Sequence, residues 1–125
     1  MQTNYLNKVV RTSLITTTSY VAGTVLEDME SFNQLILEVA FTIGSLTSAE
    51  LKIEYSNDGT TYFQDTNKSI SSGVSTLYLA NYTWTAGGNY QIEVPVLARF
   101  IKISVKGTGT VTNSLIAITS RVSYV

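Results

Sequence analysis

Residues 34–43 read QLILEVAFTI. Leu35, Leu37, Val39, Phe41 and Ile43 fall on one side of an extended chain; Gln34, Ile36, Glu38, Ala40 and Thr42 fall on the other. Side chains of a strand point alternately to opposite faces, so this stretch is a strand with one buried face. The alternation returns in AELKIEYS (49–56), where Leu51, Ile53 and Tyr55 point in and Lys52 and Glu54 point out. It returns in NYQIEVPV (89–96), with Tyr90, Ile92, Val94 and Val96 on one face, and in RFIKISVK (99–106), with Ile101, Ile103 and Val105. VTNSLIAITSRVSYV (111–125) places Ile116, Ile118 and Val122 on one face and Leu115, Ala117 and Arg121 on the other.

The rest is less regular. TSLITTTSYVAGTVL (12–26) is rich in β-branched residues and reads as one or two strands, with Gly23 marking a break or bulge. LEDMESFNQ (26–34) reads as a loop holding one helical turn. STLYLANYTW (75–84) reads as a strand, with either Leu77 and Leu79 or Tyr78, Tyr82 and Trp84 inward. SNDG (56–59), SISSG (69–73), TAGG (85–88) and KGTGT (106–110) combine glycine with small polar residues, as tight connections require. The single proline, Pro95, marks the end of a strand, where its nitrogen needs no partner. About eight strands in 125 residues predict an all-β fold, a two-sheet antiparallel sandwich of jelly-roll type. Residues 11–125 form that single domain. Residues 1–10 read as an N-terminal arm, because Tyr5, Leu6, Val9 and Val10 keep no period.

Composition narrows the function. Charged residues make up 14 % of the chain and hydrophobic ones 44 %, whereas about a quarter charged is usual. A surface this neutral is suited either to cover by another chain or to a coat of Thr, Ser and Asn. The net charge is −1, and the basic residues are scattered from Lys8 to Arg121, so no field for direct nucleic-acid binding builds up. With no cysteine and no histidine, the chain lacks thiolate chemistry and the commonest metal ligand and general base. No nucleophile motif is present, and the expectation is a protein that is not an enzyme and needs no cofactor. The N-terminus shows no basic-then-apolar export pattern, and no run approaches the ~20 apolar residues of a membrane span. The N-x-[ST] sequences at Asn67 and Asn81 read as chance matches in a Thr- and Ser-rich chain.

Asp58-Gly59, set between alternating runs, reads as a two-residue hairpin turn of type I′, with Tyr55 facing Tyr62-Phe63 across it. Asp58 and Asp65 could instead hold Ca²⁺, but two carboxylates are few for an ion that takes six to eight oxygens. Arg99 reads as the partner of an acidic neighbour or of an aromatic ring at a sheet edge. Glu27, Asp28 and Glu30 read as a solvated acidic loop. GTGT (107–110) lacks the lysine of a phosphate-binding loop. Tyr78, Tyr82, Trp84 and Tyr90 gather around TAGG in the sequence. They are candidates for contact with a partner or a glycan, set against a plain role in the core.

The stretch LKIEYSNDGTTYFQ (51–64), followed by ARFIKISVKG (98–107), resembles a hairpin and strand found in two groups of small β-sandwich domains. One group is the discoidin-like carbohydrate- or lipid-binding modules. The other is small structural proteins of tailed bacteriophage virions. The first group commonly carries a bridging cysteine pair or is exported, and this sequence shows neither cysteine nor a signal pattern. Its ending, KGTGTVTNSLIAITSRVSYV (106–125), looks more like virion decoration and auxiliary proteins. That resemblance implies a capsid decoration or other assembly role in the virion, through contacts with copies of itself and with a larger shell protein. A carbohydrate-binding module is the alternative it implies. Neither membrane nor nucleic acid is an expected partner.

Overall fold

The computed structural model describes residues 4–14, 19–111 and 113–124. The strands are β1 (Asn4–Leu14), β2 (Val21–Ala22), β3 (Gln34–Thr42), β4 (Leu46–Ser56), β5 (Phe63–Gln64), β6 (Thr66–Ser71), β7 (Val74–Leu79), β8 (Asn81–Trp84), β9 (Gly88–Val94), β10 (Phe100–Gly109) and β11 (Leu115–Tyr124). One 3-10 turn, Met29–Ser31, lies in the stretch read as a loop with a helical turn.

Every strand pairing is antiparallel. One sheet has the order β1-β11-β3-β9, and the second has β2-β10-β4 with both β5 and β8 on the outer side of β4. β5 pairs with Glu54 and Tyr55, and β8 pairs with Ala49 to Lys52, so the two pieces form one interrupted edge strand. Counted that way, eight strands make a jelly roll of two four-stranded sheets. The remaining pair, β6 and β7, forms a separate two-stranded sheet.

The alternation read from the sequence is the alternation of burial. Leu35, Leu37, Val39 and Phe41 from β3 meet Leu51, Ile53 and Tyr55 from β4. Ile92 and Val94, then Ile101, Ile103 and Val105, and Ile116, Ile118 and Val122 complete one continuous core. Among the buried apolar residues Ile36 is the exception. It points away from the core yet is buried, between Arg121 of β11 and Glu93 of β9 in the register.

The open sides of the sandwich are closed differently. On one side a register shift between Val9 and Arg11 makes a bulge in β1. The Val10 carbonyl there accepts a hydrogen bond from the Thr24 amide at 2.8 Å, and Gly23 donates to the Ile103 carbonyl at 2.9 Å. On the other side Trp84 stacks between Phe41 and Tyr90, at centroid distances of 6.3 and 5.4 Å. The Tyr90 hydroxyl donates to the Ala86 carbonyl at 2.6 Å, and the Tyr55 hydroxyl donates to the Pro95 carbonyl at 3.0 Å. Burial, with help from Asp65 and Tyr82, pushes the Tyr55 hydroxyl up to about 12, so it remains a donor at neutral pH.

Three expectations change. From Asn4 onward the expected arm is an edge strand paired to β11, so a boundary at residue 10 does not stand. The bulge explains the missing period: Val9 is exposed and Val10 buried, but the phase shifts immediately after them. Residues 1–3 lie outside the described chain. Asp58-Gly59 is a turn but not of type I′, because Gly59 has φ 78° while Asp58 is not among the positive-φ residues. The connection runs from Ser56 to Tyr62, and Tyr55 does pair with Phe63. Lastly, Leu77, Tyr78 and Leu79 face neither sheet of the sandwich but stand exposed on the β6-β7 pair.

Asp58 organises its longer loop through its carboxylate. Oδ1 accepts from the Thr60 and Thr61 amides at 2.8 and 2.9 Å and from the Ser56 hydroxyl at 2.9 Å. These donors, Thr61 first, favour the ionised form and hold the carboxyl below its ordinary 3.8. A depressed folded value means the loop gains from Asp58 above the ordinary carboxylate range and loses that gain as pH falls through the folded value. In an NMR titration the Thr60 and Thr61 amides should shift together with a midpoint below 3.8. A midpoint at or above that value would contradict the geometry.

Candidate functional site

The edge strand beside β4 is broken at one place. Opposite Ile53 the chain leaves the sheet after Gln64 and returns at Asn81. The neck is tied by backbone and side chain. The Asp65 amide donates to the Ile53 carbonyl at 3.1 Å, and the Ala80 amide donates to the Asp65 carbonyl at 3.0 Å. The Gln64 side-chain amide donates to Asn81 Oδ1 at 2.6 Å. Between these points β6 and β7 pair only with each other, from Thr66↔Leu79 to Ser71↔Val74.

The tip is the tight turn that the sequence reading placed elsewhere. Ser72 and Gly73 have φ 51° and 78° and connect directly paired residues, as a two-residue type I′ turn requires. The register then sorts the side chains, since cross-strand partners share a face. One face carries Ile70, Leu77 and Leu79 with Thr66, Lys68 and Ser75. The other carries Val74 and Tyr78 with Asn67, Ser69, Ser71 and Thr76.

Both faces stand in solvent. Ile70, Val74, Leu77, Tyr78 and Leu79 are 52–68 % exposed. A two-stranded ribbon with bare edges is marginal by itself, and natural sheets protect such edges with charge, proline or cover. Here Lys68 is the single charged residue between Thr66 and Leu79, and there is no proline. An apolar, nearly uncharged projection of this kind is rare on the surface of a monomer.

The outer face of the β2-β10-β4 sheet is the opposite case. Lys52 lies 3.4 Å from Glu54, and Lys102 lies 4.0 Å from the same carboxylate. Lys52 and Lys106 sit over the Tyr20 ring, Lys102 sits over Tyr62, and the Tyr20 hydroxyl donates to Glu50 at 2.6 Å. The charges scattered through the sequence converge here and satisfy one another. Arg99 pairs with Glu30 at 3.3 Å and Asp28 at 3.9 Å and lies over Phe100, so the expected structural role stands and the acidic loop is its partner.

The outer face of the β1-β11-β3-β9 sheet holds a shallow dent of about 500 Å³. Ala40 and Ala117, paired across β3 and β11, form its floor, with Glu38, Thr119, Asn89 and Gln91 around it. Glu38 is the one charged residue in this lining.

The four aromatic candidates do not form one platform. Trp84 and Tyr90 pack against the core, Tyr82 lies at the sheet edge opposite Leu51, and Tyr78 stands on the hairpin. The sequence reading named Tyr78 but missed its true neighbours, Ile70, Val74, Leu77 and Leu79. A hairpin signal was present in SISSGVSTLYL, where Ser-Gly separates two runs, with no acidic residue to shield either edge. Among the described residues no cluster of acidic side chains is spaced to hold a metal ion. Asp58 Oδ1 and Asp65 Oδ1 each accept backbone amides of their own loops.

No family model matches the chain, and no curated protein sequence does. Solved structures do match. Two phage-derived proteins share this fold. The PBSX exported protein XepA superposes with a TM-score of 0.63 at 10 % identity, over 94 % of this chain. The chain spans only 36 % of XepA's length. The SPBc2 prophage-derived protein YomS superposes with a TM-score of 0.55 at 14 % identity, over 98 % of this chain and 96 % of its own. At such identities the likeness is one of architecture. No helix of the described chain is long and apolar enough to cross a membrane.

Proposed function

We propose that this chain is a non-enzymatic structural component of a bacteriophage particle, of the capsid decoration or auxiliary type. It acts by contact with copies of itself and with a larger particle protein. The observation that carries the reading is the hairpin at residues 65–80. It offers aliphatic side chains to solvent on a body whose own core is already complete. Burial of that surface on another chain supplies association energy, at about 25 cal/mol per Å² of apolar area, and many symmetric copies multiply it. The shared architecture of two phage-derived proteins supports the setting. The glycan alternative is not favoured, because the aromatic residues that would stack on sugar are divided between core, edge and hairpin.

Particles purified by density gradient from source cells producing the phage provide the test. The chain should sediment with the particles, stay on them in high salt and be released only by denaturant, as followed by mass spectrometry. A chain found only in the unsedimented fraction would overturn the reading.

A further inference from the structure

We propose that the hairpin of one copy docks its Ile70/Leu77/Leu79 face in the Ala40/Ala117 dent of a second copy. The inference deepens the assembly reading and rests on it for its biological setting.

Three observations choose this occupant. The first is area. Three aliphatic side chains offer roughly 100 Å² each, or ~300 Å² for the face. Two such faces packed on each other would bury only about that much per copy, against ~800 Å² per partner in a stable complex. A head-to-tail contact lets every copy both donate a hairpin and receive one. Each contact still buries ~300 Å² per partner, but a closed ring of such contacts covers ~600 Å² on every copy, before the Lys68 stem and Thr66 are added.

The second is charge. Self-pairing of the faces would bring Lys68 against Lys68. The dent instead presents Glu38, the one charge in its lining. Neither Lys68 nor Glu38 takes part in an ion pair among the described residues. On the opposite sheet's outer face Lys52, Lys102 and Glu54 engage one another, and Glu50 and Lys106 engage Tyr20.

The third is shape. The hairpin strands are six residues long and project from the edge, and the dent is floored by small side chains. A projection entering a hollow on a neighbour is a heterologous contact, which closes into a ring or continues as a filament.

Sedimentation velocity of the purified full chain tests this. The wild type should self-associate at about 100 µM or below. Leu77→Asp and Glu38→Lys should each weaken association at least ~10-fold. Both positions are exposed, so thermal melting should stay close to wild type. The Lys68→Glu/Glu38→Lys exchange should restore association relative to either single variant. A monomeric wild type, wild-type association by Leu77→Asp, or an exchange that restores nothing would each overturn the contact. The outcomes separate from the particle test. An assembly that never sediments with particles refutes the function and leaves this contact standing, while a monomer that binds particles does the reverse.

Discussion

Gly23→Ala is expected to lower the unfolding free energy by about 3 kcal/mol, the upper end of what overpacking a filled interior costs. A Cβ at this position would lie 2.5 Å from the Val10 carbonyl oxygen and 2.8 Å from Val10 Cγ1. The oxygen belongs to backbone, so it cannot swing aside. It is also fixed by its bond from the Thr24 amide, while Gly23 itself is held to Ile103. Relief therefore has to come from separating β1 from β2, which opens one side of the sandwich. Urea denaturation followed by circular dichroism gives the measurement. Gly73→Ala is the control. It has φ 78° with nothing within 4 Å, so its cost is local strain of about 1 kcal/mol at the hairpin tip. Equal effects at the two glycines would mean that the close approach at Val10 is not what Gly23 provides.

Trp84→Ala is expected to cost a comparable amount, about 3 kcal/mol, the low end for a large aromatic because the side chain is only half-buried. The indole lies between Phe41 of one sheet and Tyr90 of the same sheet's edge strand, so its loss leaves a void where the second side of the sandwich closes. A tryptophan held outward for sugar stacking would behave otherwise. Its removal would change stability by no more than about 0.5 kcal/mol, and the wild-type fluorescence would respond saturably to sugar. Chemical denaturation of the variant, with a sugar titration of the wild type, decides between the two roles.

The fold was legible where one face of a strand is covered and the other is not. In β3, β4, β9, β10 and β11 the period-2 pattern translates directly into burial, and these strands carry most of the core. The same pattern misleads at residues 75–79. Leu77 and Leu79 alternate with Tyr78 as in a core strand, yet all three are exposed. Periodicity reports that a chain has two faces; it does not report whether anything lies against them. The N-terminal strand was hidden for the opposite reason. A bulge at Val10 resets the phase within a real strand, and the pairing that reveals it is with β11, at the far end of the sequence. The dent was invisible because its floor joins Ala40 and Ala117, two unremarkable alanines distant in sequence.

The break in the edge strand has a consequence for how such a protein can change. Gln64 and Asn81 already bridge the gap by a side-chain bond, and nothing between them contributes to the core. The segment they bracket is a cassette. Its length and lettering can drift, or be replaced by a foreign peptide, with the jelly roll left to fold as before. Selection for a new neighbour would then be written into one short locus, and the same locus is where a displayed epitope could be spliced.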